Sequence, residues 1–213
     1  METTCCDDCH GPAESSPARR RILWIALALN ATMFAVEIGA GLAAGSASLQ
    51  ADALDFLGDT ANYAVSLFVV GMALRYRALA ALAKGVSMGL VGIWVIGVTV
   101  WHGWHGTLPE AVTMGAVGIA ALVANGLSFA LLWAYRSADA NMRSAWICTR
   151  NDVLGNLAVL LAALGVFGTG TGWPDIIVAT IMSSLSLQGA TVVMRQSLGE
   201  LRSDREPVRL AAE

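Results

Sequence analysis

Six long apolar segments dominate this sequence of 213 residues and constrain its fold more than any other feature. A helix of roughly 20 apolar residues can cross the hydrocarbon core of a bilayer, which is about 30 Å thick. The segments cover residues 22–44, 49–74, 79–101, 109–135, 144–167 and 174–194. Only short connections separate them. We therefore predict an all-α membrane protein with six transmembrane helices.

The composition excludes several other classes of protein. Charged residues make up 14% of the chain and apolar residues 56%, whereas soluble domains carry about 25% charge. The net charge of −3 offers no basic surface for a nucleic-acid partner. No nucleophile–base constellation and no glycine-rich phosphate loop is evident, so we expect neither an enzyme nor a bound cofactor.

Lysine and arginine predict the orientation, because cytoplasmic loops of membrane proteins are enriched in them. With six spans, 12 of the 13 such residues fall on one side, and the remaining one, Arg150, lies near the start of the fifth segment. This bias places both termini in the cytoplasm. The predicted organisation is a flexible tail over 1–20, a six-helix membrane domain over 21–195 and a short tail over 196–213.

Acidic residues within the second segment are the first candidate site. Asp55 and Asp59 are four residues apart, so one helical face presents both, with Cβ atoms about 5–6 Å from each other. Two carboxylates this close in a low dielectric require a proton or a cation between them. Asp52 lies one turn earlier, and it could instead be a hydrogen-bonded structural group. Glu37 in the first segment could carry a proton or pair with a polar residue.

The fifth segment carries a second stripe of polar side chains, formed by Cys148, Asp152 and Asn156 at four-residue spacing. Asp55, Asp59, Asp152 and Cys148 would offer four oxygen and sulfur ligands, which suit a tetrahedral zinc ion. A thiolate among carboxylates favours zinc, cadmium or cobalt over magnesium or calcium. Cys148 could equally be a small buried apolar residue, and Asn156 could bond a neighbouring helix instead of a metal.

Two further groups contain metal-binding residue types. The N-terminal tail holds Cys5, Cys6, Cys9 and His10 within six residues, a spacing that can wrap one soft ion. It is interpreted as a metal-capturing arm, with an incidental cysteine-rich terminus as the alternative. His102 and His105 are three residues apart in the connection after the third segment, where they are either a weak release site or solvated loop groups.

The segment Gly45-Ser-Ala-Ser-Leu-Gln-Ala-Asp-Ala-Leu-Asp55-Phe-Leu-Gly-Asp59 resembles the second-helix motif of the cation diffusion facilitator family. Glu37 followed by glycines is similar to the end of that family's first helix. Asp152-Val-Leu-Gly-Asn156 resembles its fifth-helix motif. The resemblance covers roughly residues 20–195.

This resemblance implies export of divalent metals, mostly zinc, from the cytoplasm in exchange for protons. It also implies a four-ligand transport site with two ligands from each of these helices. Asp55, Asp59 and Asp152 take three of those positions, and Cys148 falls where the family usually has His or Asp. A register that uses Asp152 and Asn156 is the alternative. Most members continue into a cytoplasmic metal-binding domain that helps them dimerise, so the chain is interpreted as a short form, with any homodimer held by its membrane helices.

We therefore expect a proton-coupled efflux transporter of zinc, or of cadmium or cobalt, in the inner membrane of a bacterium. Divalent metal ions and protons are its expected substrates, and the lipid bilayer is its environment. A passive cation channel lined by acidic residues and a membrane metal sensor that does not transport are the alternatives.

Overall fold

The computed structural model describes residues 17–69, 72–133 and 140–203, and their side chains except those of 18, 19, 132 and 140–151. These residues form helices and short connections, with no strand among them, which confirms the predicted all-α class. The helices are α1 (Pro17–Ala44), α2 (Ala47–Phe68), α3 (Leu74–His105), α4 (Ala111–Trp133), α5 (Ala140–Thr169) and α6 (Trp173–Ser203).

The helix bounds differ from the predicted spans at several ends. α2 ends at Phe68, and α3 begins at Leu74, so the residues predicted to link the second and third spans lie in the first turns of α3. α3 also continues to His105 and α6 to Ser203. Apolar length alone marks where a helix can lie in lipid. It does not mark where the helix ends, because polar residues extend helices beyond the hydrocarbon core.

The helix α2 is the centre of the bundle and packs against all five of the other helices. Most of its residues from Ala47 to Gly58 are buried, including Asp52 at 0% exposure. At a rise of 1.5 Å per residue, its 22 residues extend for about 33 Å. The surrounding helices therefore shield the acidic stripe of α2 from the surroundings of the bundle.

Five of the described helices are long and apolar enough to cross a membrane, with spans at 20–44, 74–105, 111–131, 152–169 and 173–203. These helices establish a multi-pass membrane protein. α2 does not meet the same criterion, because its three aspartates lower its hydropathy. The sixth span and the cytoplasmic position of the termini therefore stay predictions.

Three connections meet at one end of the bundle, which we call the three-turn end: α1–α2 at Gly45, α3–α4 at Gly106 and α5–α6 at Gly170 (φ between 63° and 64°). This left-handed conformation is readily available to glycine. The backbone N–H of Glu110 donates to the carbonyl of Ala44 (3.0 Å). These features make the three-turn end a close-packed assembly of turns.

Asp175, in the first turn of α6, caps the N-terminus of α2, a contact that the sequence patterns did not predict. Its carboxylate accepts hydrogen bonds from the Ser46 hydroxyl (2.7 Å) and the Ser48 hydroxyl (2.6 Å). It also accepts from the backbone N–H groups of Ala47 (2.8 Å) and Ser48 (3.0 Å). A negative charge at a helix N-terminus is favourable, so one buried side chain joins α2 to α6.

Replacing Asp175 with Asn should lower the free energy of unfolding by about 2 kcal/mol, because the cap loses its charge and one acceptor oxygen. Thermal unfolding in detergent micelles measures the effect. Thr180→Ala is the matched control, since this exposed hydroxyl on α6 bonds to its own helix. Equal melting temperatures for Asp175→Asn and the wild type would show that the cap does not stabilise the bundle.

Candidate metal site

The acidic residues of α2 form one stripe along the helix, since Asp52, Asp55 and Asp59 are spaced three and four residues apart. Asp52 is fully buried, Asp59 is 5% exposed and Asp55 is half-buried. A buried carboxylate is unfavourable unless hydrogen bonds or opposite charges compensate it. The neighbours of this stripe therefore decide what the site can hold.

Gly155 of α5 lies directly against this stripe. A Cβ atom at this glycine would be 3.4 Å from Asp55 Oδ2, 3.5 Å from Asp52 Oδ1 and 3.2 Å from the Met182 methyl group of α6. A Cβ would make ordinary contacts with both carboxylates, so little room is left for a bulkier side chain between α5 and α2. The segment Asp152-Val-Leu-Gly-Asn156 thereby faces the predicted second-helix motif.

Asp59 and Asp152 lie within hydrogen-bonding range of each other across the α2–α5 interface. The Tyr63 hydroxyl donates to Asp59 Oδ2 over 3.4 Å, and Asn62 also contacts the Asp59 carboxyl. The structure thus brings together one predicted residue from each helix. Two facing carboxyl groups are an arrangement that can share a proton or bind a cation.

Lys84 of α3 is a further member of this cluster. Its side chain is 9% exposed, its ammonium group donates to the Asn62 Oδ1, and its charge attracts the Asp59 carboxylate. The sequence interpretation grouped Lys84 with the cytoplasmic cations. Its place inside the third apolar segment was the one sequence signal that could have indicated an internal role.

Two residues of α5 were predicted as candidates for a fourth ligand. Asn156 is fully buried, and neither of its side-chain polar atoms finds a hydrogen-bond partner in the described part of the chain. Cys148 lies in α5, but its side chain is outside the described residues. Cys148 and Asn156 are therefore both still candidates, as they were from the sequence.

Glu37 and Asp52 form a second pair of carboxyl groups, between α1 and α2, and both are fully buried. The two groups contact each other, and no donor among the described residues reaches any of their four oxygens. Two such groups can bond each other only when one carries a proton. The pair lies on the three-turn side of Asp55, one turn along α2.

The remaining predicted metal-binding residues are those of the N-terminal tail and the two histidines near the end of α3. Cys5, Cys6, Cys9 and His10 lie outside the described residues. The His105 ring stacks on Trp101 with centroids 3.8 Å apart, and its Nδ1 lies 3.0 Å from the Trp101 carbonyl oxygen. Among the described side chains (17, 20–69, 72–131, 133 and 152–203), no three of His, Cys, Asp or Glu are close enough together to hold a metal ion. Asp55 is thus not drawn into one compact cluster with Asp59 and Asp152.

The fold and the site together define a multi-pass membrane protein whose carboxyl groups face one another inside a helical bundle. The chain matches the family model of the cation efflux transmembrane domain over residues 23–202. It therefore belongs to the cation diffusion facilitator family.

Three curated relatives illustrate this membership. The chain is 30% identical over 195 residues to "Zinc transporter ZitB" of Escherichia coli, covering 85% of this chain and 62% of the relative. It is 26% identical over 193 residues to "Metal cation efflux system protein CzcD" of Cupriavidus metallidurans, covering 85% and 61%. It is 24% identical over 205 residues to "Cadmium, cobalt and zinc/H(+)-K(+) antiporter" of Bacillus subtilis, covering 88% and 65%. The chain spans less than two thirds of the length of these relatives.

Gly155→Val should lower zinc binding by about tenfold or more, because the added isopropyl group would separate α5 from the carboxylates of α2. Zinc titration of the purified protein in micelles, by calorimetry, measures this. Gly126→Val in α4 is the matched control, since nothing lies within 4 Å of a Cβ at that position. Equal affinities in both variants would mean that the close approach of α5 does not build the site.

Proposed function

We propose that this protein exports divalent metal cations, with zinc as the first candidate and cadmium or cobalt next, in exchange for protons. The observation that carries the proposal is the meeting of Asp59 and Asp152 between α2 and α5, inside a bundle that shields α2. The relatives support it, because their names describe zinc transport, metal cation efflux and antiport with protons. The proposed location is the bacterial inner membrane.

In the proposed binding state, Asp55, Asp59 and Asp152 provide oxygen ligands, and Cys148 or Asn156 completes a tetrahedral set. Asp55 has to move toward the other two residues to join them. Gly155 already brings the α5 backbone close to Asp55 Oδ2, so a small relative shift of α2 and α5 would gather the ligands. Such a shift also suits alternating access, in which the site assembles facing one side and loosens facing the other.

Proton coupling follows from competition for the same carboxylates. An aspartate must be deprotonated to bind metal, so protons that arrive from the far side displace the ion from Asp55, Asp59 and Asp152. Glu37 and Asp52 lie between this site and the three-turn end, where we assign them a proton-relay role, with a purely structural role as the alternative.

The cysteines and His10 of the N-terminal tail would raise the metal concentration near the entrance. We also propose that the protein forms a homodimer, held together by its membrane helices.

Asp59→Asn should abolish metal transport and leave the bundle folded, because the amide keeps the shape of the side chain and an oxygen for the Tyr63 hydroxyl but loses the charge. Zinc flux into proteoliposomes, with and without a pH gradient, measures transport. Glu110→Gln is the matched control, since it neutralises an exposed carboxylate in the α3–α4 connection, away from the site.

The same assay separates the alternatives. A passive channel would conduct zinc at equal rates with and without the pH gradient. A sensor would bind zinc without any flux in the wild type. Wild-type flux in Asp59→Asn would show that α2 does not carry the transport site.

Cys148→Asp should shift the order of preference away from cadmium and toward harder ions, because a thiolate favours soft metals and a carboxylate favours hard ones. Transport of zinc, cadmium and cobalt at matched expression measures this order, with Asn156→Ala in parallel. An unchanged order in Cys148→Asp, together with loss of flux in Asn156→Ala, would identify Asn156 as the fourth ligand. Unchanged transport in both variants would show that neither Cys148 nor Asn156 is a ligand, which would leave Asp152 as the ligand from α5.

A further inference from the structure

The single lysine of this chain, Lys84, lies inside the bundle rather than at a helix end. It is ten residues from the start of α3, which corresponds to about 15 Å along the helix axis. A buried ammonium group is unfavourable unless it is paired and hydrogen-bonded. Its partners are therefore informative about its role.

Two groups that interact with Lys84 belong to the candidate metal site. The ammonium group donates to Asn62, which lies three residues beyond Asp59 on α2, and its charge attracts Asp59 itself. Asp59 in turn contacts Asp152 of α5. The lysine thus extends the chain of contacts from α5 through α2 to α3.

Packing on both sides holds Lys84 in place. One turn along α3, Met88 packs on α2, where its methyl group would be 3.3 Å from a Cβ at Gly58. Next to the lysine, Gly85 lets α3 approach α6 so closely that a Cβ there would be 2.8 Å from the Met194 Cγ. α3 is therefore held between α2 and α6, which keeps the backbone of Lys84 close to the α2 residues around Asp59.

The charges of the cluster suggest what this fixed cation does. With Asp55, Asp59 and Asp152 ionised, these three carboxylates and Lys84 together carry a net charge of −2, which one divalent cation would balance. We propose that Lys84 is a built-in counter-cation of the metal site, which weakens cation binding so that the transported ion is released. This inference rests on the function proposed above and adds a residue that sets the affinity.

The physical reason is electrostatic. A fixed positive charge near a cation site repels every ion that enters, and this repulsion is stronger in a protein interior than in water. Most differences in affinity between related sites appear in the dissociation rate. Removing the charge should therefore tighten binding and slow the release of the ion, so that both KM and kcat fall.

Lys84→Gln tests this inference in the full-length protein. Zinc binding is measured by calorimetry in micelles, and zinc uptake is measured in proteoliposomes as a function of zinc concentration. We expect Kd and KM to fall by about tenfold, with a lower kcat. Lys84→Arg keeps the charge and should restore both values to within about threefold of the wild type. Arg75→Gln removes an exposed cation from the same helix and should change neither.

A purely structural lysine would give a different result, in which Lys84→Gln loses kcat while Kd and KM stay unchanged or rise. That result would overturn the proposal. If Lys84→Gln does not fold, Asn62→Asp tests the proposal instead. Its new carboxylate lies beside the ammonium group and cancels the positive charge, so zinc binding should again become tighter. Unchanged or weaker zinc binding in Asn62→Asp would overturn the proposal. A wild type that neither binds nor transports zinc would contradict the proposed function itself, whereas normal wild-type transport with an unaltered Kd in Lys84→Gln would contradict this inference alone.

Discussion

The burial of charge along α2 is the constraint on which the rest of this structure depends. Carboxylates inside a helical bundle lose the hydration that stabilises them in water, and lipid offers nothing in return. The bundle meets this constraint by surrounding α2 with its other five helices and by giving buried acidic residues specific neighbours. Asp59 has Tyr63 and Asp152, Asp52 has Glu37, and Asp175 has the N-terminus of α2.

These neighbours divide the buried acids into two kinds. Asp175 receives four hydrogen bonds and is fully satisfied, which suits a residue that joins two helices. Glu37 and Asp52 receive no hydrogen bond from any donor within the described ranges, whereas Asp59 has a long hydrogen bond from Tyr63 and an ammonium group nearby. Buried carboxyl groups that receive few hydrogen bonds are the ones that a proton or a metal ion stabilises most. The distribution of hydrogen bonds therefore distinguishes Asp175 from the acids for which we propose a role in transport, a distinction that burial does not make.

The sequence was sufficient to predict the helical class, the approximate helices and the facing of α2 and α5, because apolar length and four-residue spacing are local properties. It did not reveal the cap by Asp175, since Ser46 and Asp175 are 129 residues apart and no periodicity connects them. Lys84 was counted among the cytoplasmic cations for a related reason. Counting positive charges indicates orientation, but whether one lysine turns inward depends on which helix packs beside it. The helix α2 also shows why hydropathy alone does not identify every helix of the bundle, because a helix that its neighbours shield from lipid need not be apolar.

The cap by Asp175 also has a mechanical consequence. It fixes one end of α2, while Asp59 lies about 18 Å farther along the helix, twelve residues from the start of α2. A rotation of α2 by about 10° around this anchored end would carry Asp59 through about 3 Å, the length of a hydrogen bond. A pivot at the three-turn end would thus convert a slight tilt of one helix into the making or breaking of the Asp59–Asp152 contact, while the turns themselves stay closed.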